Sequence, residues 1–245
     1  MQDRYVGDIG DYGKIGLLKA LRSQGLSIAV NWYLVEVMDS EKNADGTFKQ
    51  EDGKYLIPDK LKLCDPTLAV ILTDIAQSDM RSVKKLEQAD LISDAVYYGE
   101  PVPVDGRSDW HYRALEKLRN TDLVFVDPDN GMLVKSVGKK SVKSVKYTFY
   151  EEVRDYVRRG QSVLIYNHRS RKQEPEYFHE ICSKIQEVTG VAETEILKIT
   201  FPKCSVRDYL AVPASTEHRE KIEGAFTAMV NGVWGENGMC RIPRR

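Results

Sequence analysis

Short apolar segments alternate with amphipathic helical patterns along most of the 245 residues, and this alternation limits the possible folds more than any other feature. Segments 122–126 and 162–168 are the two clearest, because each carries a continuous apolar run of strand length. Such runs are typical of central strands that helices cover on both faces. We therefore predict an α/β fold with a Rossmann-like, mostly parallel sheet, helices on both faces and right-handed crossovers.

The remaining segments complete this alternation. A helix is predicted over 12–24, where leucines and isoleucines recur at helical spacing before Gly25 ends the pattern. A strand over 27–37 is followed by a polar segment, 39–55, which we expect to be an exposed loop or hairpin. Further helices are predicted within 78–92, 110–120, 147–160, 174–190 and 218–231, and further strands within 95–100, 195–200 and 208–214. Because no internal repeat or low-complexity linker interrupts the chain, we predict one α/β domain over residues 1–245.

Composition excludes several classes of protein. The 36 basic and 37 acidic side chains leave a net charge of -1, so long-range charge alone selects no partner. No apolar run approaches the roughly 20 residues of a membrane helix, and the N-terminal segment does not have the pattern of a signal peptide. We expect a cytoplasmic protein without a membrane partner. The cysteines form no CxxC pair, so we predict reduced thiols rather than a zinc site or disulfides at Cys64, Cys182, Cys204 and Cys240.

Polar side chains follow both of the central apolar runs. They are Asp127, Asp129 and Asn130 after the first run, and Asn167, His168 and Arg169 after the second. Ligands of open parallel sheets bind at the carboxyl ends of the strands, so these side chains would converge if the two strands are neighbours. Asp-Pro-Asp-Asn-Gly is equally typical of a plain turn, and His168 is equally consistent with a hydrogen bond to a backbone carbonyl.

The N-terminal segment contains glycines at positions 7, 10, 13 and 16, interspersed with Asp8, Asp11 and Lys14. We interpret it as a flexible acidic loop that enters a helix, whose first turn could accept an anion. The spacing matches neither GxGxxG after a strand nor GxxxxGK[ST], and helix capping by Asp11 is the alternative.

A lysine-rich segment lies between the two central runs. It carries Lys135, Lys139, Lys140, Lys143 and Lys146, and Arg169 is among the arginines that follow. A local basic patch beside acidic strand ends suits an enzyme that acts on a polyanion, with phosphates held by lysine and arginine. An ordinary solvated loop is the alternative.

The order of these motifs resembles Rossmann-fold methyltransferases that act on nucleic-acid bases, above all the ribosomal-RNA adenine-N6 methyltransferase family. GDIGDYGKIGLLKAL is similar to that family's glycine-rich N-terminal segment and helix. LVFVDPDNG stands where the family has a buried strand ending in Asp-Pro-Pro-Tyr, and SVLIYNH follows it in the order of the family's next strand. The resemblance implies a base taken out of the stack, and S-adenosylmethionine as cofactor if methyl transfer is retained.

The sequence departs from the family at both functional motifs. NWYLVEVMDSEK, after the first strand, lacks the family's glycine-rich cofactor loop, and Asp129 and Asn130 replace the second proline and the aromatic residue. Paired carboxylates beside a histidine suit hydrolysis, because cleavage of a base-sugar bond passes through a positively charged sugar. Our leading hypothesis is therefore a DNA glycosylase-like hydrolase without a cofactor, with nucleic acid, DNA above RNA, as its partner.

In this hypothesis Asp127 and Asp129 stabilise charge and His168 assists the leaving base. The substrate-binding residues are Asp8, Asp11, Lys14, Asn130, Asn167, Arg169, Lys139 and Lys140. The runner-up is a methyltransferase that uses S-adenosylmethionine. A nuclease that binds Mg²⁺ through Asp8, Asp11, Asp127 and Asp129 is a third hypothesis, and a nucleic-acid-binding protein without activity is a fourth.

Overall fold

A computed structural model of the chain describes residues 1–36, 56–78, 81–169 and 172–244. Within these ranges the strands are β1 (Ile28–Asn31), β2 (Val96–Tyr98), β3 (Leu123–Val126), β4 (Gly131–Met132), β5 (Tyr147–Thr148), β6 (Ser162–His168), β7 (Leu197–Phe201) and β8 (Arg207–Val212). The α-helices are α1 (Ile9–Ser23), α2 (Asp59–Lys62), α3 (Pro66–Gln77), α4 (Val83–Gln88), α5 (Arg107–Lys117), α6 (Tyr150–Arg158), α7 (Glu174–Thr189), α8 (Thr216–Asn231) and α9 (Val233–Glu236).

Six strands form the central sheet in the order β2-β1-β3-β6-β8-β7. The pairs β1·β2, β1·β3 and β3·β6 are parallel, whereas β8 runs antiparallel to both of its neighbours. Asn31 pairs with Val126 at the carboxyl ends of β1 and β3, and His168 at the end of β6 pairs with Arg207 at the start of β8. The predicted α/β class with a Rossmann-like, mostly parallel sheet is confirmed.

Both faces of the sheet are buried. Leu123 and Phe125 of β3 pack on one face, in a cluster that includes residues of α1, α3 and α8. Val124 and Val126 pack on the other face, in a cluster that includes residues of α5, α6 and α7. The apolar run of β3 is continuous because every one of its side chains faces a layer of helices.

Helix α1 begins three residues earlier than predicted. Asp8 is its N-cap, since the Asp8 carboxylate accepts a hydrogen bond of 2.9 Å from the backbone N–H of Asp11. The prediction of a flexible acidic loop is therefore wrong, because Gly10, Gly13 and Gly16 lie inside the helix.

These three glycines form one face of α1 and allow it to pack closely on the rest of the molecule. A Cβ atom on Gly10 would lie 2.9 Å from Arg207 Nε, and one on Gly13 would lie 2.7 Å from Phe201 Cδ1. A Cβ atom on Gly16 would overlap the indole ring of Trp234 in α9. The glycine spacing thus reflects close packing of α1 against β7, β8 and α9.

The other boundaries shift by a few residues, and the helix predicted within 78–92 is shorter, at Val83–Gln88. The apolar stretch that contains Asp65-Pro66 forms α3, in which Asp65 is the N-cap and Pro66 the first helical residue. The predicted polar loop over 39–55 lies outside the described residues. Among the residues that are described, no helix is both long and apolar enough to cross a membrane.

Candidate functional site

A cavity of about 340 Å³ lies at the carboxyl end of β3, beside the first turn of α1. This is the position where the strand order reverses, because the sheet continues from β1 to β2 on one side and to β3 on the other. Its polar lining consists of Gln2, Asp8, Asp11, Lys14, Asp127, Asp129, Asn130, Lys146, His168, Ser205 and Arg207, and Tyr5 and Tyr166 add aromatic walls. We refer to it as the first cavity.

Most of the residues proposed from the sequence meet in this cavity. The three predicted catalytic residues line it, and so do four of the predicted substrate-binding residues: Asp8, Asp11, Lys14 and Asn130. Strand β3 delivers Asp127, Asp129 and Asn130, strand β6 delivers His168, and helix α1 delivers the rest.

The other four predicted substrate-binding residues lie apart from the first cavity. Asn167 is buried, and its Oδ1 accepts a hydrogen bond of 2.6 Å from the backbone N–H of Met132. Arg169 Nε donates a hydrogen bond of 2.8 Å to Asp208 Oδ2, and Arg169 Nη1 donates one to Glu174. Lys139 pairs with Glu151 on the surface, and Lys140 is exposed, so both lie away from the cavity.

Sequence reasoning did not identify Tyr5, Tyr166, Lys146 or Arg207 as site residues. Lys146 belongs to the lysine-rich segment, and Tyr166 directly precedes the polar end of β6. Both are therefore close in sequence to residues that were predicted to belong to the site. Arg207 reaches the cavity because β8 runs antiparallel to β6 and begins where β6 ends.

Lys14 lies between two carboxylates in the wall of the cavity. Its Nζ is 2.8 Å from Asp11 Oδ1 and 2.6 Å from Asp127 Oδ2, and all three side chains are at most 5% exposed. Burial would lower the pKa of Lys14, but the two carboxylates outweigh it and raise that pKa well above its ordinary value. Lys14 is therefore a charged bridge between α1 and the end of β3.

Asp129 is held as an anion. Its Oδ1 lies 3.0 Å from the amino group of Met1, and its Oδ2 accepts a hydrogen bond from the side-chain amide of Gln2. Burial would raise the pKa of Asp129, but the Met1 amino group and the Gln2 hydrogen bond hold it below its ordinary value. The same amino group donates to the backbone carbonyl of Asp127 at 2.8 Å, which fixes the start of the chain against the end of β3.

Asp8 has the opposite electrostatic environment. Burial, together with the charge of Asp11, raises the pKa of Asp8 to about 6, although Arg207 Nη2 lies 3.8 Å from Asp8 Oδ2 and acts against this shift. Partial loss of hydration at the cavity wall and the positive charge of Arg207 lower the pKa of His168, although this residue is exposed at the end of β6, so its imidazole is mostly neutral at pH 7. The first cavity thus contains a carboxylate that stays ionised and a carboxyl group that can carry a proton near neutral pH.

The cavity residues fit a metal ion poorly. In the described parts of the chain, no group of three or more histidine, cysteine, aspartate or glutamate side chains is placed to hold one. A lysine ammonium lies between Asp11 and Asp127, at the point where a shared metal ion would need to lie.

The residues after β1 also fit S-adenosylmethionine poorly. Trp32 and Tyr33 follow the strand with fully buried side chains, and their backbone carbonyls each accept a hydrogen bond of 3.1 Å from the Met1 amino group. Residues 32–36 contain no glycine, and open glycine-rich backbone is what a nucleotide-type cofactor needs at this position.

No family model matches the chain, and none of the curated proteins matches it in sequence. The functional interpretation therefore depends on the chemistry of the cavity itself. An ionised carboxylate, a protonatable carboxyl group and aromatic walls around a space of this volume suit acid-assisted cleavage of a bond in a small ring-containing group.

Proposed function

We propose that the protein hydrolyses the N-glycosidic bond between a base and its sugar in nucleic acid, DNA above RNA. The opposed environments of Asp8 and Asp129 carry this proposal. Both side chains line one cavity, and their pKa values are shifted in opposite directions from the ordinary value of 3.8. Most glycosidases cleave the glycosidic bond with a pair of carboxyl groups whose pKa values differ.

The reaction assigns one role to each carboxyl group. Protonated Asp8 donates its proton to the base as the bond between base and sugar breaks and its electron pair moves to the base nitrogen. Ionised Asp129 stabilises the positive charge that develops on the sugar. Water then adds to the sugar carbon, and the proton it releases restores Asp8.

We propose a role for Asp127 that differs from the one expected from the sequence. Its Oδ2 is bound to Lys14 at 2.6 Å, and the whole residue is 2% exposed. Asp127 is therefore assigned to positioning Lys14 and the β3 end, and Asp129 to the charge on the sugar. In this proposal His168, neutral at pH 7, and Asn130 hydrogen-bond the edge of the base.

The aromatic walls support a base as the bound group. Tyr5 and Tyr166 line the cavity, and the ring of Tyr166 meets that of His168 edge-on with centroids 5.7 Å apart. Aromatic faces stack on unstacked bases of any sequence, and a base must leave the duplex to enter a cavity.

The alternative hypotheses have less support from this geometry. Methyl transfer needs a cofactor cradle that residues 32–36 do not resemble, and a Mg²⁺-dependent nuclease needs carboxylates that are free to share an ion. Asp11 and Asp127 instead share Lys14.

Mass spectrometry of reaction products tests the proposal. The purified protein is incubated with a panel of DNA and RNA oligonucleotides that carry normal and modified bases, with and without S-adenosylmethionine. We expect release of a free base without the cofactor, its loss in Asp129→Asn and its reduction in Asp8→Asn. Asp74→Asn, at an exposed position of α3, is the matched control and should keep wild-type turnover.

Two outcomes would contradict the proposal. A mass gain of one methyl group that requires S-adenosylmethionine would replace hydrolysis by methyl transfer. Oligonucleotide binding without any base release, unchanged in Asp129→Asn, would instead favour the non-enzymatic hypothesis.

A further inference from the structure

A second cavity, of about 310 Å³, adjoins the first and shares Asn130 and His168 with it. Met132 and Leu133 line one part of it, and Tyr177 and Ile181 of α7 line another. Asn130 and His168 therefore form a wall common to both cavities, and a ligand that spans this wall contacts both.

The charges of the second cavity are predominantly positive. Lys135, Lys172 and Lys184 line it, and Glu180 is the only acidic residue among its described lining residues. Glu180 lies 2.7 Å from Lys172 Nζ and 3.7 Å from Lys184 Nζ. The three lysines of the lining outnumber its single glutamate. Glu176, which lies outside the lining, also approaches Lys172 at 3.4 Å, and the lysines still outnumber the two acids. A surplus of ammonium groups beside an apolar and aromatic floor suits a phosphate and the nucleotide attached to it.

Backbone hydrogen bonds and one close glycine contact hold the wall between the cavities together. The backbone N–H of His168 donates to the carbonyl of Asn130 at 3.2 Å, and Asn167 Oδ1 accepts from the N–H of Met132 at 2.6 Å. Gly131 has φ of 110°, and a Cβ atom at this position would overlap Asn167 Oδ1, so the β4 segment and the end of β6 are in closest contact here. The two cavities are consequently held at a fixed separation.

We propose that the second cavity binds the phosphodiester and the neighbouring nucleotide of a strand whose target base occupies the first cavity. This inference rests on the proposed function and narrows its substrate class to a nucleic-acid strand rather than a free nucleoside. Lys135 and Lys184 contact the phosphate, and Tyr150, which lies under Lys184 at 5.6 Å from Nζ to the ring centroid, completes the floor.

Salt dependence of binding provides the first test. The affinity for a fluorescein-labelled single-stranded DNA of about 12 nucleotides is measured by fluorescence anisotropy at several salt concentrations. The association constant falls as salt rises, and each phosphate neutralised adds about 0.7 to the magnitude of the negative slope of log K against log [salt]. Because both lysines contact the same phosphate, we expect the double variant Lys135→Gln/Lys184→Gln to reduce the magnitude of the slope by about 0.7. The charge-matched control Lys84→Gln/Lys117→Gln changes two exposed lysines outside both cavities and should keep the wild-type slope.

Base release from two substrates separates this inference from the proposed function. We expect the double variant to lose activity on the 12-nucleotide strand while its activity on the corresponding free nucleoside equals that of the wild type. If the wild type cleaves the free nucleoside as efficiently as the strand, or the double variant keeps the wild-type slope, the inference is wrong and the proposed function stands. If the magnitude of the slope falls as expected but no substrate releases a base, the phosphate site is supported and the proposed hydrolysis is wrong.

Discussion

Replacing Lys14 by methionine tests whether the ion bridge between α1 and β3 holds the site together. Methionine has nearly the length and apolar volume of the lysine stem, so the substitution removes the ammonium group with little loss of packing. It leaves the carboxylates of Asp11 and Asp127, 2.8 and 2.6 Å from the former ammonium, buried without this partner.

The expected loss is large because both partners are buried. Removing one member of a buried ion pair costs about 3–5 kcal/mol, mostly through the uncompensated charge that remains. Lys14 bridges two carboxylates, so we expect Lys14→Met to lower the free energy of unfolding by a value near the upper end of this range. Lys19→Met, on the same helix, breaks an ion pair with Asp65 in which the lysine side chain is 40% exposed, and should cost at most about 1 kcal/mol.

The loss should also depend on pH. The pKa of Lys14 is raised in the folded state, so its contribution is fully present below its unfolded value of 10.5 and is lost only as the pH rises through the higher folded value. The pKa of Asp127 is already raised by burial and rises further without Lys14, which destabilises the folded variant progressively as the pH rises above about 4. Lys14→Met is therefore expected to lower the free energy of unfolding more at about pH 8 than at about pH 5.

Urea unfolding at both pH values, followed by the fluorescence of the buried tryptophans, measures the deficit. A loss below about 1.5 kcal/mol at pH 8, or one that Lys19→Met matches, would refute the reasoning. A deficit that does not change with pH would show that the cost is one of packing rather than of unpaired carboxylates.

Two further predictions concern α1 and Asp8. Gly16→Ala should lower the free energy of unfolding by about 1–3 kcal/mol, because the new methyl group overlaps the Trp234 ring. Gly224→Ala in α8, where the methyl group meets only a flexible glutamine side chain at 3.0 Å, should be neutral or stabilising in the same denaturation assay, and equal losses would contradict the packing role of α1. Base release should fall about tenfold per pH unit above about 6, because Asp8 must carry a proton. Arg207→Gln removes a charge that lowers the pKa of Asp8, so this limb of the pH–rate profile should move to higher pH, and an unmoved limb would assign the proton to another group.

Hydrophobic pattern was sufficient to predict the class of fold, because β3 and β6 are buried on both faces and carry no polar alternation. The reversed direction of β8 was not predicted, since a fully buried strand has the same pattern in either orientation. A signal was nevertheless present: only residues 202–206 separate β7 from β8, and a parallel crossover needs a dozen residues or more. Without this reversal Arg207 could not be expected beside His168.

The candidate site was predictable where it depends on strand ends and not where it depends on loop conformation. Asp129 follows β3, and His168 is the last residue of β6, the adjacent parallel strand, so the sheet alone brings them to the same end of the strands. The lysine-rich segment contributes Lys146 to the first cavity and Lys135 to the second, whereas the predicted Lys139 and Lys140 line neither. Turns and short strand pairs decide which lysines of a loop face a cavity, and the pattern of charges in the sequence does not predict them.

The glycine face of α1 fixes the rotation of this helix about its axis and its position along that axis. Gly10, Gly13 and Gly16 lie against Arg207, Phe201 and Trp234, and Asp8, Asp11 and Lys14 occupy the same three turns. Each residue of an α-helix turns the chain by about 100° and advances it by about 1.5 Å. A single residue inserted after Lys14 would therefore leave Gly16 on Trp234 but rotate the site carboxylates away from β3. The length of this segment is consequently as constrained as the identity of its residues, and variation in chain length is to be sought elsewhere in the molecule.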